Sequence, residues 1–176
     1  MMRPAAFALS LALLASALPR QAHAEPAVPG PVQGRFYLFI DDTIHLFVNG
    51  SQVLSRNEIW TSTQSEVVEL KPGDRIVAKL KNRGGPRGFM LLFVSADLKH
   101  MVEFKGTNFR ILGKPESNDF TAAELATARP AKRDSKNDRK PLPFKNRSDW
   151  VWGDLDVCTL GCQVTEAMFQ PGPNKN

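Results

Sequence analysis

An all-β sandwich is the fold class this sequence predicts, and three observations carry the prediction. Between Arg35 and Leu112, short apolar runs recur at close spacing, each closed by a turn signal rich in Gly, Pro, Asn or Asp. Within "TIHLFV" the apolar residues Ile44, Leu46 and Val48 alternate with His45 and Phe47, the period of two that a strand requires. No heptad pattern and no internal repeat competes with that reading.

The first 24 residues are set apart as a secretory leader. "MMRP" is a short basic start, "AAFALSLALLASAL" an apolar run, and "AHA" a small-residue cleavage signature ending at Ala24. Pro19 and Arg20 interrupt the run before it reaches the roughly 20 residues of a membrane span, and no later stretch is more apolar, so no span is expected after cleavage. An alanine-rich leader of this kind points to a bacterial envelope, hence to a secreted or periplasmic protein. Losing Arg3 and Arg20 with the leader lowers the formal charge from +5 to +3. The expected organisation is a leader at 1–24, a flexible segment at 25–34, a single β domain at 35–170 and a tail at 171–176.

The strands follow in order. "RFYLFI" is the first and "TIHLFV" the second, and Asn49-Gly50 suits a type I′ hairpin turn before the return strand "SQVL". "VVEL" runs into Lys71-Pro72-Gly73-Asp74, a turn that leads to "RIVAKLKN". "NRGGPRG" is a loop. "FMLLFVS" is apolar on both faces, as in a strand inside a sandwich, and "HMVEF" and "NFRIL" continue the pattern. After Leu112 the pattern changes: Thr121 and Glu124 are spaced as a capping box, so a short surface helix is expected, stopped by Pro130. From Arg129 to Arg147 the chain is strongly basic, with Arg129, Lys132, Arg133, Lys136, Arg139, Lys140, Lys145 and Arg147 against Asp134 and Asp138. Its prolines predict a long extended loop rather than a second domain. Order returns at "DWVWGDLDVC".

From Phe36 to Leu92 these pieces stand in a familiar sequence: Asp41-Asp42 at a strand entrance, Val48-Asn49-Gly50, Trp60, Leu70-Lys71-Pro72-Gly73, and Asn82-Arg83-Gly84-Gly85-Pro86-Arg87-Gly88, with a fainter echo at "DWVWG". The ordered set resembles the galactose-binding-like jelly-roll modules appended to secreted bacterial glycoside hydrolases. The resemblance implies a jelly-roll β-sandwich and, as a class tendency, carbohydrate binding. It departs from the family at Asp74-Arg75, where asparagine commonly follows the turn, and no hydrolase domain accompanies the module.

The candidate ligand residues are Asp41, Asp42, Trp60 and Asn82. Two readings stand for the acid pair: the carboxylates accept hydrogen bonds from sugar hydroxyls or hold a calcium ion, or they cap a turn and fix the hairpin entrance. Adjacent residues of a strand point to opposite faces, so Asp41 and Asp42 do not form the opposed dyad of a glycosidase. Trp60 either stacks on a pyranose ring or packs in the core. Trp150 and Trp152, spaced by two, are expected on one strand face, filling the core. The glycines of "RGGPRG" lack the strand-to-helix setting of a phosphate cradle and are read as allowing unusual torsions or close approach.

Cys158 and Cys162 are the only cysteines of an exported chain, and the leading expectation is a disulfide across a tight turn at Gly161. The rival is a copper site of C-x3-C type, but Glu166 stands where the binuclear copper loop needs histidine, and His45 and His100 are the only histidines of the mature chain. No metal or other cofactor is expected. Isolated histidines and the absence of a G-x-S-x-G elbow argue against an enzyme. The basic segment, with Arg129, Lys132, Arg133, Lys136, Arg139 and Lys140 as its candidate contacts, suits an anionic envelope polymer or a protein partner; its single Phe144 offers little stacking for nucleic acid. The functional expectation is a non-catalytic binding or accessory module with carbohydrate as ligand class, and the alternative is a structural subunit of a cell-envelope complex that docks through the basic loop.

Overall fold

The computed structural model describes residues 30–84, 87–114, 116–133, 142–144, 147–153 and 155–173, with the backbone alone at 58–60. Lys136, Arg139 and Lys140 lie outside the described residues. The strands are β1 (Val32–Val48), β2 (Ser51–Gln64), β3 (Val68–Leu70), β4 (Arg75–Lys81), β5 (Phe89–Ser95), β6 (His100–Glu103) and β7 (Arg110–Ile111), then β8 (Arg129–Pro130), β9 (Lys132–Arg133), β10 (Val151–Trp152), β11 (Val157–Gln163) and β12 (Phe169–Pro171). Among the described residues one α-helix, α1 (Ala122–Thr127), precedes β8. All pairings are antiparallel, and the sheet runs β12-β6-β5-β1-β4-β11-β7-β8, with β2 and β3 on the other edge of β1. The expected all-β fold class is what the chain adopts, as a sheet curled nearly into a barrel.

The long strand β1 organises everything else. "RFYLFI" and "TIHLFV", expected as separate strands, are one continuous strand of 17 residues. Its first half, Gly34–Ile40, pairs with β5; its second half, Thr43–Val48, pairs with β4. Alternation puts Phe36, Leu38, Ile40, Ile44, Leu46 and Val48 into the main core, where they meet Ile76, Ala78 and Leu80 of β4, Phe89, Leu91 and Phe93 of β5, and Leu160 of β11. The outer faces are covered too. Phe39, Met90, Leu92 and Val94 lie under Leu142 and Trp150, while Phe47 and Val77 lie under Leu112 and Phe120. This is why "FMLLFVS" is buried on both sides along its whole length.

The turns form where the sequence signals them. Asn49 (φ 49°) and Gly50 (φ 80°) both adopt positive φ, the geometry of a type I′ turn, and Gly73 (φ 94°) follows Pro72 in the Lys71–Asp74 turn. Asp74 locks the two together: Oδ2 accepts from the Lys71 N–H at 2.9 Å, and Oδ1 accepts from Asn49 Nδ2 at 2.9 Å. The helix starts on its capping box, Thr121 Oγ1 accepting from the Glu124 N–H and Glu124 Oε2 from the Thr121 N–H.

Two expectations need correction. Cys158 and Cys162 are not joined: both lie on β11, a continuous extended strand, where four residues span about 13 Å, well beyond the reach of a disulfide. Gly161 makes no turn between them; it lies mid-strand, where a Cβ would fall 2.9 Å from Leu112 side-chain carbons. Trp150 and Trp152 both fill core but not the same core, since Trp150 precedes β10 and packs on the outer face, whereas Trp152 enters the main core. The start of the basic segment is part of the sheet, with β8 pairing β7 and β9 pairing β10, while residues 134–141 and 145–146 lie outside the described residues.

Candidate functional site

Three of the four candidate ligand residues meet at one corner of the fold. At Asp41–Asp42 the strand β1 leaves β5 and joins β4, and the described ends of the segment that connects those two strands, residues 82–84 and 87–88, meet it there. The Asp41 N–H donates to Gly88 O at 3.0 Å, and Asp42 Oδ2 accepts from the Arg83 N–H. Asn82 donates from Nδ2 to Asp156 Oδ1 at 3.3 Å, and Arg87 pairs with the same oxygen at 2.6 Å. Thus the Asp41 backbone holds one end of the loop and the Asp42 carboxylate the other. Asp42 has φ 82°, so the alternation that would send neighbouring side chains to opposite faces is broken at this residue.

The register breaks on the facing strand as well. Ile40 pairs with Thr61 and Asp42 with Glu58, which leaves Ile59 and Trp60 opposite Asp41 alone, a bulge on β2. The backbone therefore brings Trp60 to the same corner; its side chain lies outside the described residues.

Asp41, Asp42 and Asn82 are 1%, 4% and 6% exposed. Asp41 Oδ2 and Asn82 Oδ1 have no hydrogen-bond partner among the described residues. Burial, helped by the neighbouring Asp42 charge, raises the pKa of Asp41 above the usual aspartate value. Oxygens this enclosed are in contact with the protein rather than with solvent, and the work visible here is bracing a strand that changes partners.

An open cleft lies elsewhere, between the end of β7, the segment that follows it and α1. Its volume is about 450 Å³, its apolar wall is Ile111, Leu112, Phe120 and Ala128, and its polar rim includes Lys114, Asp119, Glu124 and Arg129. The segment that forms it is pinned at three points. Arg75 grips Asp119 in a two-pronged pair, Nε to Oδ1 at 2.6 Å and a terminal nitrogen to Oδ2 at 2.7 Å. Lys114 Nζ bonds Glu124 Oε1 at 2.7 Å, and Lys79 Nζ donates to Glu116 O at 2.8 Å. The Arg75 guanidinium lowers the pKa of Asp119, and Lys114 with the Thr121 cap lowers that of Glu124 to about 2. Both carboxylates are ionised acceptors near neutral pH.

Of the basic candidates, Arg129 lines this cleft, while Lys132 and Arg133 are exposed on β9, with Arg133 Nε 3.1 Å from Asp149 Oδ1. Sequence reasoning did not single out Lys114, Asp119 or Glu124 as ligand residues. The capping box was legible, but the Arg75–Asp119 pair joins residues 44 apart, and no local signal announces it.

No protein-family model, curated protein or solved structure matches the chain.

Proposed function

We propose that the protein is an exported, non-catalytic binding or accessory module whose ligand class is carbohydrate, held in the cleft beside α1. The observation that carries the reading is the pairing of an apolar wall, Ile111, Leu112 and Phe120, with ionised rim carboxylates of Asp119 and Glu124 in an open volume of about 450 Å³. A pyranose presents one face of C–H groups and an edge of hydroxyls, and a cleft of this kind answers both. The size falls within the roughly 300–1,000 Å³ usual for small-molecule sites. Lys114 and Arg129 add donors for ring or anionic substituents.

The second reading, an envelope subunit that docks through its basic segment, is supported by the exposed Arg129, Lys132 and Arg133 on the terminal strands β8 and β9. A glycan array with the leaderless protein separates the two. Binding that persists at high salt and falls with Thr127→Trp, which fills the cleft, supports the carbohydrate reading. Binding of anionic polymers alone, abolished by salt and by Lys132→Glu with Arg133→Glu, supports the docking reading.

A further inference from the structure

Asn49-Gly50 is the one Asn-Gly pair in the chain. Such a pair carries its own reaction. The glycine nitrogen, with no side chain beside it, attacks the asparagine amide carbon, which makes this asparagine thermolabile. Here the amide is exposed at the hairpin tip, yet it is fastened to β4 through both of its polar atoms. Nδ2 donates to Asp74 Oδ1 at 2.9 Å, Oδ1 accepts from the Arg75 N–H at 2.9 Å, and the Asn49 N–H donates to Arg75 O at 2.8 Å. Asp74 is itself buried and held, Oδ2 accepting from the Lys71 N–H at 2.9 Å and its backbone carbonyl from the Val164 N–H at 2.8 Å.

We propose that Asn49 is a self-modification site, a deamidation centre that the folded hairpin tip keeps unreactive and that opening of the tip releases. The reaction needs only water. The Gly50 nitrogen bonds to Asn49 Cγ and gives up its proton, the Cγ–Nδ2 bond breaks, and Nδ2 leaves as ammonia. Water then opens the five-membered imide at either carbonyl, giving aspartate or isoaspartate. Two features of the tip oppose the first step. The first central residue of a type I′ turn has ψ of about +30°, which sets the following nitrogen nearly opposite its own Cβ, so the Gly50 nitrogen reaches Cγ only after the peptide rotates. The swing of the amide toward Gly50 also breaks its bonds to Asp74 and Arg75. Reaction therefore runs through the locally open tip, in proportion to its population.

The change is one-way. In the aspartate product a carboxylate oxygen replaces the amide donor and faces Asp74 Oδ1, so like charges stand where a hydrogen bond was. Isoaspartate instead adds a methylene to the main chain of a two-residue turn. Either product frees the tip from β4. The tip borders the cleft beside α1, since a Cβ on Gly50 would meet Asp119 Cβ at 3.8 Å, but the chemistry at Asn49 is independent of what that cleft binds.

Incubating the leaderless protein at mildly alkaline pH, folded and in urea, tests the site. Deamidation is read as the mass gain of the tryptic peptide from Phe36 to Arg56, in which Asn49 is the only asparagine. The folded protein is expected to react at least about tenfold more slowly than the protein in urea, because the tip must open first. Asp74→Ala removes the acceptor of the amide, so it should speed the reaction of the folded protein by about tenfold and leave the rate in urea unchanged. If that variant does not fold, the parent decides alone. Its ratio of folded to urea rates must then match the open fraction read from hydrogen exchange of the Asn49 N–H, which is bonded to Arg75 O. Asn49→Asp, equivalent to the aspartate product, should unfold at a lower urea concentration than the parent. Equal rates in the folded protein and in urea overturn the proposal, as does a folded Asp74→Ala protein that reacts no faster than the parent. A rate ratio unrelated to the exchange-derived open fraction, or an Asn49→Asp protein as stable as the parent, overturns it as well.

Discussion

Asp42 shows how much one residue does in this fold. Its φ of 82° is one that side chains rarely adopt, and aspartate tolerates it better than β-branched residues do. In return its carboxylate holds the Arg83 N–H and closes the loop 82–88. Asp42→Asn should keep most of the stability, since the amide oxygen still accepts that bond, whereas Asp42→Val should cost about 2–4 kcal/mol through strain and an unsatisfied donor. Urea unfolding of the two variants measures the difference. Gly88 is a second such position. A Cβ there would fall 2.4 Å from the Trp150 ring, which itself packs edge-on against Phe39 at 5.0 Å. The cysteines make a third test at this scale. Burial pushes the Cys162 thiol up to about 12, and both thiols should react with a thiol reagent only after unfolding, with reductant leaving the melting temperature unchanged. Detection of a disulfide in the unfolded, unreduced protein would sink that expectation.

At the scale of elements, the β1–β2 hairpin is fastened by more than its turn. Asn49 contributes the left-handed torsion, but its side chain also donates to Asp74 and accepts from the Arg75 N–H at 2.9 Å, tying the hairpin tip to the start of β4. Asn49→Gly keeps the torsion and loses both bonds, so it should destabilise by about 1–3 kcal/mol, which denaturant titration reads directly. Asn49→Ala loses the torsional preference as well and should cost more. The Arg75–Asp119 pair does a parallel task for the other outer face, fixing the segment that carries Phe120 over Phe47 and Val77.

Over the whole molecule, two aspartates give opposite pH dependence. Asp119 has its pKa lowered by Arg75 from the ordinary 3.8, so its contribution is present above that value and lost as pH falls through the lowered folded value. Asp41 is shifted the other way by burial and by Asp42. Its fold favours the protonated form, a contribution present below 3.8 and lost as pH rises through the raised folded value. Stability should therefore increase on mild acidification from neutral pH and fall again below the ordinary aspartate value. Melting temperatures across pH check this, with Asp41→Asn expected to remove the first trend and Asp119→Asn to lessen the second, which Glu124 shares.

What the sequence determined by itself is local: the β class, the hairpin turn at Asn49-Gly50, the Lys71–Asp74 turn, the doubly buried strand at 89–95 and the capping box at Thr121. Each rests on alternation or on the torsions a few neighbouring residues allow, and such signals are complete within a short window. The tertiary structure alone decided that Asp41–Asp42 is the point where one strand changes partners and that Gly161 is small because Leu112 lies over it. It also decided that the cysteines are held apart on an extended strand. These are meetings between residues distant in the chain, set by how the sheet curls around its core. A glycine or an aspartate written in the sequence carries no mark of which side chain or which strand will come to face it.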